Sequence, residues 1–557
     1  MELNGSDILI NVLLEQEVDT VFGYPGGAIL NIHDALYKYQ DKIHHVLTSH
    51  EQGACHAADG YARVSGKPGV VIATSGPGAT NIVTGIANAY MDSIPLVAIT
   101  GNVAKTLIGR DSFQEIDIAG VTMPITKNNY IVSDVSELAD VVREAFEIAI
   151  SGRPGPVLID IAKDATAQTC EYIPVPKVVK REIQSSKDNK YDIAVQMIRE
   201  AKKPLIYAGG GVTFSIASCQ LFEFAEKFDC PVSTSMMGIS SIPYDHRLNL
   251  GMIGMHGTPV SNKASVECDL IIAIGTRFDD RVAGNRKSFG KNAKIIHIDI
   301  DRSEHNKNVM VDLSICGDAK NVLQILTDKI RVKNHSDWVD YLNEYKKSHP
   351  LPVIDREGYV SICDVLEEIH QNVSEDAIIV TDVGQHQMLT AQHYKFKKPR
   401  TFVSSCGLGT MGYGLGAAIG AKVAKPDSEV VLITGDGSFH MNLNEMACVV
   451  SENLDIKVFV INNSVLGMVR QWQRMFYKGR YANTNIARKT DFIKLAQAFG
   501  ADGFRVEKPE FVKTTIKDVI ENKHPTICEV VIHEDDSVFP IIPPGGSAED
   551  IIIKEEI

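Results

Sequence analysis

The chain has 557 residues, too many for one hydrophobic core and enough for about three domains. Hydrophobic residues make up 44% and charged residues 23%, ordinary globular proportions that exclude disordered and fibrous classes. The formal net charge of -14 argues against nucleic acid or an anionic membrane as partner, so an anionic substrate would need local cationic groups.

The opening MELNGSDILI has no basic leader and no cleavage pattern, and Ser6 reads as the cap of an ordinary helix. No apolar run approaches the roughly 20 residues that span a bilayer. The ten cysteines include no C-x-x-C pair, which disfavours zinc and thioredoxin-like chemistry. Cys55, Cys230, Cys268, Cys406 and Cys448 stand among apolar or small neighbours and read as reduced core residues, so the expected compartment is the cytoplasm.

Residues 1–170 alternate helical stretches with apolar strands, the pattern of an α/β domain on a parallel sheet. Residues 21–27 (VFGYPGG) read as a strand end running into a glycine turn, and 49–54 (SHEQGA) as a strand end handing over to a helix. Glu51 stands at that handover; the alternative to a functional role is a carboxylate favoured by the helix dipole. Strand, glycine turn and helix recur at 69–81 (GVVIATSGPGATN), with further strands at 96–100 and 154–160 and a polar loop at 112–115 (SFQE). Residues 171–190, with two prolines, many charges and no period, read as a linker. A second α/β domain is expected over 191–335, its strands 204–208 and 269–274 ending in Gly209, Gly210 and Gly211 and in Gly275. Such turns are nucleotide-binding in outline, although a glycine triplet alone is weak evidence. A linker over 336–357, containing a helical stretch with Trp338 and Tyr345, leads to a third domain over 358–537. The proline-rich arm 538–557 must lie extended over another surface.

The most informative stretch runs from Glu429 to Trp472. The apolar run 430–434 reads as a doubly buried strand, and 435–438 (GDGS) as a tight glycine turn that lets backbone approach a ligand closely. A helix with Met441, Met446, Ala447, Val449 and Val450 as apolar positions should follow, then a strand over 457–461 ending in Asn462 and Asn463. Asp436 and Asn463 offer hard oxygen ligands at the carboxyl ends of two strands, where open parallel sheets bind ligands. Magnesium takes one or two such groups and completes its shell with phosphates. GDGS, a helix, a strand and NN at this distance resemble the magnesium–diphosphate motif of thiamine-diphosphate enzymes.

Further motifs in order along the chain narrow the resemblance. GYPGGA (23–28), HEQGA (50–54), TSGPGATN (74–81), FQE (113–115), RFDDRVAG (277–284), GQHQM (384–388), GLGTMGYG (407–414), GDGSF (435–439), NN (462–463), GMVRQWQ (467–473) and the PPG tail all resemble acetohydroxyacid synthase large subunits. The resemblance implies three doubly wound parallel-sheet α/β domains, two thiamine-diphosphate-binding domains flanking a central FAD-binding one. It implies a cofactor held between the first domain of one subunit and the third of another, hence a homodimer or dimer of dimers, with a small regulatory subunit. Asp436, Asn463 and the Val465 carbonyl would hold magnesium. Gly26, Gly27, Gln385, His386, Met411, Gly435, Gly437, Ser438 and Met468 would contact thiamine diphosphate, Met411 from beneath. A structural FAD would be bound by Arg153, Gly209, Gly210, Gly211, Met252, His256, Gly275, Arg277 and Asp299.

The implied reaction decarboxylates pyruvate and transfers the two-carbon unit to pyruvate or 2-oxobutyrate, giving 2-acetolactate or 2-aceto-2-hydroxybutyrate, the first common step toward valine, leucine and isoleucine. The thiazolium C2 proton is weakly acidic, so Glu51, bonded to ring nitrogen N1′, would favour the imino form that removes it. Arg281 would grip the second carboxylate, with a surface pair to Asp279 or Asp280 as its alternative, and Trp472 would contact the extra methyl of 2-oxobutyrate. Gln114, Phe113 and Lys163 match other active-site or channel positions. The chain departs from the family at Gly416 (usually proline), at Cys55 and Cys406 (usually glycine), and at Arg110 and Met123 beside FQE. The rival readings are an FAD-independent catabolic acetolactate synthase, which RFDDR and Trp472 oppose, and a pyruvate oxidase, which should lack Arg281 and Trp472. A non-catalytic flavin-binding relative is opposed by the intact set Glu51, Asp436 and Asn463.

Overall fold

The structure, a computed structural model, describes residues 1–181, 185, 186 and 188–554; residues 182–184 and 187 of the expected linker and 555–557 of the arm lie outside the described residues. Three six-stranded sheets, each parallel throughout, carry the chain, together with a small antiparallel pair, Glu2–Asn4 with Thr169–Glu171. The doubly wound α/β class expected from the strand–glycine–helix rhythm is the class found.

Numbering strands by chain order within each sheet, the first and third sheets share one order, 2-1-3-4-6-5, while the middle sheet runs 3-2-1-4-5-6. The middle order is that of dinucleotide-binding folds, with its switch point between Pro204–Ala208 and Leu270–Ile274. The shared order of the other two makes them structural repeats, which the sequence did not betray.

The first and third domains are packed into one core, in which Phe22, Ala57 and Ala98 share a cluster with Leu415, Ala418 and Leu432. The contact is backbone to backbone: helix Glu51–Ser65 lies on helix Gly414–Ala424, leaving no room for a Cβ at Gly60 against the Ala417 carbonyl or at Gly420 against that of Ala57. Gly416, a departure from the family pattern, belongs to this seam, its Cβ position 2.8 Å from the Gly53 oxygen.

Several expectations need correction. The first helix, Gly5–Glu15, is capped by Asn4, whose Oδ1 accepts the Asp7 N–H at 2.8 Å; Ser6 lies inside the turn and donates to the buried Thr166 carbonyl. The segment 336–357 is not simply linker, because helix Ser336–Ser348 buries Trp338 and Leu342 in the middle domain and Trp338 Nε1 donates to the Pro204 carbonyl at 3.0 Å. The single helix expected after GDGS is two, Asp436–Asn442 and Met446–Ser451, joined by the 3₁₀ turn Leu443–Glu445, and Met441 faces solvent. Cys406 is only half-buried. The arm does lie extended: Ile542 N–H donates to the Met255 carbonyl at 2.9 Å and Asn285 N–H to the Gly546 carbonyl at 3.0 Å, so it crosses the middle domain.

Candidate active site

The strand Val430–Gly435 and the helix Asp436–Asn442 abut with no intervening loop. Neither Gly435 nor Gly437 has a positive φ, so these glycines serve close approach rather than a turn. A Cβ on Gly435 would sit 2.9 Å from His386 Nδ1, and one on Gly437 3.0 Å from Ile486. Gly435 pairs in register with Ile461 of the next strand, which places Asp436 and Asn463 side by side at one sheet edge. Burial pushes the Asp436 carboxyl up to about 7, against the pull of the Gly437 peptide N–H and its own. Asn463 Oδ1 accepts the Val465 N–H at 3.1 Å, and its Nδ2 donates to Gln385 Oε1 at 3.3 Å. Gln385 is fixed in turn by donating to the Asp536 carbonyl at 2.7 Å. Ser438 Oγ donates to the Val383 carbonyl, and His386 is buried with Nε2 unpartnered, its pKa lowered to about 3 by burial.

Beside this edge opens a cavity of about 1060 Å³ between the middle and third domains, with part of the first. From the middle domain it is lined by Gly210, Gly211, Met252, His256, Gly275, Arg277, Arg281 and Asp299; from the third by Met411, Met468 and Trp472; from the first by Arg153. Gly209 lies just behind, with no space for a Cβ against the Gly275 carbonyl. Gly275, at φ +59, closes against Gly211 so tightly that a Cβ on Gly211 would stand 2.6 Å from its Cα. Arg153 crosses between domains, donating to Ser93 Oγ at 2.7 Å and pairing with Glu304 at 2.8 Å. Burial lowers His256 to about 4, while its Nδ1 lies 3.0 Å from the Pro540 carbonyl of the arm.

Arg281 is well exposed, its Nη1 donating to Met255 Sδ at 3.6 Å. Asp279 is occupied as the cap of its helix, accepting the Arg281 and Val282 N–H groups, and among the described residues the only carboxylate pair of Arg281 is a 3.8 Å contact with Asp280, both side chains being well exposed. Trp472 stands one turn after Met468 on helix Gly467–Phe476, its ring edge-on to Phe476 at 5.8 Å.

Met411 owes its place to a group that the sequence reading missed. Asp382, fully inside, accepts the N–H groups of Gly412 at 2.9 Å and Gly414 at 3.0 Å, fixing the turn under Met411; burial pushes its carboxyl up to about 6. Asp382→Asn turns an amine toward one of those donors and is expected to cost about 1–3 kcal/mol, read from urea unfolding; an unchanged midpoint would remove Asp382 from this role.

The remaining predicted residues gather at the carboxyl edge of the first sheet. Glu51 begins helix Glu51–Ser65, its Oε2 accepting from Asn81 Nδ2 at 2.9 Å, and a Cβ on Gly78 would lie 3.2 Å from its Oε1. Thr74 fills the space beside both Gly26 and Gly78, while nothing stands within 4 Å of a Cβ on Gly27. Gln114, at φ +59, rests on Gly76 at the head of the same turn; Phe113 beside it is 88% exposed. Lys163 opens helix Lys163–Ala167 on this edge and is exposed. Glu51, Gln114 and Lys163 do not line the large cavity of their own chain. Asn81 was present in the TSGPGATN motif, and its spacing from Glu51 carried no signal; the cavity walls Met236, Met237 and Tyr477 belonged to no motif.

Two sheets of one topology around a dinucleotide-type sheet, with an acid–amide pair at a strand edge, define the architecture of a thiamine-diphosphate-dependent enzyme. Three family descriptions match in order: "Thiamine pyrophosphate enzyme, N-terminal TPP binding domain" over 3–121, "central domain" over 191–326 and "C-terminal TPP binding domain" over 382–530, thiamine pyrophosphate being the diphosphate by its older name. The chain is 44% identical to the probable acetolactate synthase large subunit of Methanocaldococcus jannaschii, over 99% of this chain and 95% of that one. It is 45% identical to the acetolactate synthase large subunit of Corynebacterium glutamicum (99% and 90%) and 42% to the isozyme 2 large subunit of Escherichia coli (99% and 100%). The chain belongs to the acetolactate synthase large-subunit family. Among the described residues no helix is long and apolar enough to cross a membrane.

Proposed function

We propose that the chain decarboxylates pyruvate and joins the two-carbon unit to a second pyruvate or 2-oxobutyrate, using thiamine diphosphate, magnesium and FAD. The observation that carries this reading is the cavity that Arg281 of the middle domain lines together with Met411, Met468 and Trp472 of the diphosphate domain. A cation grip and an apolar wall beside that edge are what a 2-oxo acid acceptor requires.

The residues fit each group. Asp436 is a buried carboxylate near enough to Arg488 to feel its charge, and with Asn463 and the Val465 carbonyl it makes a hard oxygen set suited to magnesium. Gln385, His386, Gly435, Gly437 and Ser438 surround the same edge, where the missing Cβ atoms leave backbone accessible to a diphosphate. The 3-2-1-4-5-6 sheet, the closed Gly211–Gly275 turn, Arg153, Arg277 and Asp299 suit FAD. When bound, thiamine diphosphate supplies the electron sink for loss of carbon dioxide. Glu51, oriented by Asn81, offers a carboxyl able to take and return a proton; Met411 gives an apolar floor fixed through Asp382; Arg281 orients the acceptor carboxylate; Trp472 excludes water from its alkyl end.

Glu51 does not reach the cavity of its own chain, so a second copy would bring its Glu51, Gln114 and Lys163 to this chain's diphosphate edge. A homodimer, or a dimer of dimers, with a small regulatory subunit in the cytoplasm, accounts for that separation.

Purified protein given pyruvate, thiamine diphosphate and magnesium, with and without FAD and an electron acceptor, tests the reading. Acetolactate formed only with FAD, and no acceptor reduced, is the expected result; acetate with a reduced acceptor would make the chain an oxidase. Arg281→Ala is expected to raise KM for the acceptor acid at least tenfold, since a charge-assisted hydrogen bond contributes about 1.5–3 kcal/mol. Its thermal midpoint should stay put, because the exposed Asp280 pair contributes little.

A further inference from the structure

Glu445 is a fully buried carboxylate that none of the roles above uses. Its 3₁₀ turn, Leu443–Glu445, follows directly on the helix that begins at Asp436. From there the side chain leaves the third domain and enters the first. Oε2 accepts the Ser49 peptide N–H at 3.0 Å, and the His50 N–H donates to the same carboxylate. The Ser49 hydroxyl returns a hydrogen bond to the Asn444 carbonyl at 2.9 Å. Oε1 lies over Gly53, where no Cβ would fit, and Asn444 Nδ2 donates to it at 3.4 Å. Every polar contact of this carboxylate therefore falls on its neighbour Asn444 or on the turn from which Glu51 springs.

We propose that Glu445 is a positioning residue for Glu51: it fixes the turn of Ser49 and His50 ahead of that carboxyl, and its own ionisation modulates the rate at which Glu51 works. The inference rests on the proton-transfer role of Glu51 proposed above. The titratable groups facing Glu445 are Glu51 and His50 from the first domain and Cys448 from the helix that follows it. Burial pushes Glu445 up to about 7; the Ser49 and His50 N–H groups oppose this, and the Glu51 charge adds to it. Its charge thus changes within the pH range in which such an enzyme is assayed. The path is short: one helix and one turn separate Asp436 from the group that holds Glu51. If the two ends serve different centres of a dimer, Glu445 connects those centres through a single chain.

The test uses full-length protein with magnesium and thiamine diphosphate, following deuterium exchange at cofactor C2 from pH 6 to 9 in wild type, Glu445→Gln, Glu445→Ala and Glu445→Asp. Glu445→Gln is expected to remove the step that the Glu445 carboxyl puts into the profile near pH 7, and Glu445→Ala to slow exchange by about 10–10²-fold, the scale for a misplaced catalytic group. Cofactor affinity by calorimetry should stay within threefold. Glu445→Asp, which keeps the charge, should keep that step with a lower rate. In cofactor-free protein the Ser49 and His50 amides should exchange at least tenfold faster in Glu445→Ala. A step near pH 7 that persists in Glu445→Gln, whether or not affinity or melting temperature falls, makes Glu445 structural only and overturns the proposal. Failure of the wild type itself to accelerate C2 exchange over free cofactor would instead remove the Glu51 reading beneath it.

Discussion

Glu51→Gln is expected to slow C2 proton exchange of bound thiamine diphosphate by about 10²–10⁴-fold, the usual worth of a positioned acid–base group. The amide is nearly isosteric. Its oxygen can still accept the Asn81 amide that now donates to Oε2 at 2.9 Å, so the helix start and the Gly78 turn should persist. What is lost is a carboxyl able to take and return a proton. Cofactor affinity should change little, because Asp436, Asn463 and the glycine edge that would hold the diphosphate belong to another domain, outside the reach of this substitution. Acetolactate formation should fall in parallel with exchange. A variant that exchanges C2 at the wild-type rate would return Glu51 to the ordinary status of a helix-terminal carboxylate.

The parts of this site that were legible share a physical cause. A strand buried on both faces must be apolar throughout, and the chain must leave it through small residues if backbone is to meet a ligand. GVVIATSGPG and VVLITGDG therefore announce both a strand and a site, and Asp436 with Asn463 could be paired across 26 intervening residues because neighbouring parallel strands end together. What stayed hidden depends on contacts between residues far apart in the chain. Glu445 looks like an ordinary helix acid until the third domain is folded onto the first, and Asp382 like a strand-end acid until its own domain brings Gly412 and Gly414 back to it; no local period reports either event. Asn4 displaced Ser6 as the first cap because the Ser6 hydroxyl had a buried carbonyl, 160 residues away, to satisfy. The glycines of GDGS were assigned a turn from composition alone; their φ values show that Gly435 is spared a side chain for the sake of His386. The buried pairing of Arg63 with Asp59 and Asp92, which ties helix Glu51–Ser65 to the loop at Cys406 and Gly407, escaped notice for the same reason.

Trp472→Leu is expected to lower the preference for 2-oxobutyrate over pyruvate as acceptor by about 10–200-fold, the range that one methylene in an apolar pocket contributes. Trp472 is suited to such a role by position. It lines the cavity together with Arg281, so a carboxylate held by the guanidinium would direct its alkyl group toward neighbouring walls of the same space. The indole is not a core residue whose removal would unsettle the domain: only Gln471 of helix Gly467–Phe476 is buried, and the ring leans edge-on against Phe476 near the surface. Leucine keeps the wall apolar but retracts it, leaving the added methyl without a partner and the smaller acceptor almost unaffected. The prediction therefore separates two quantities. Rates with pyruvate alone should change by less than threefold, about 0.6 kcal/mol, whereas the ratio of 2-aceto-2-hydroxybutyrate to 2-acetolactate formed from mixed acids should collapse toward the ratio of acids supplied. Equal loss of both products would point to a damaged donor site, and an unchanged ratio would take acceptor choice away from Trp472.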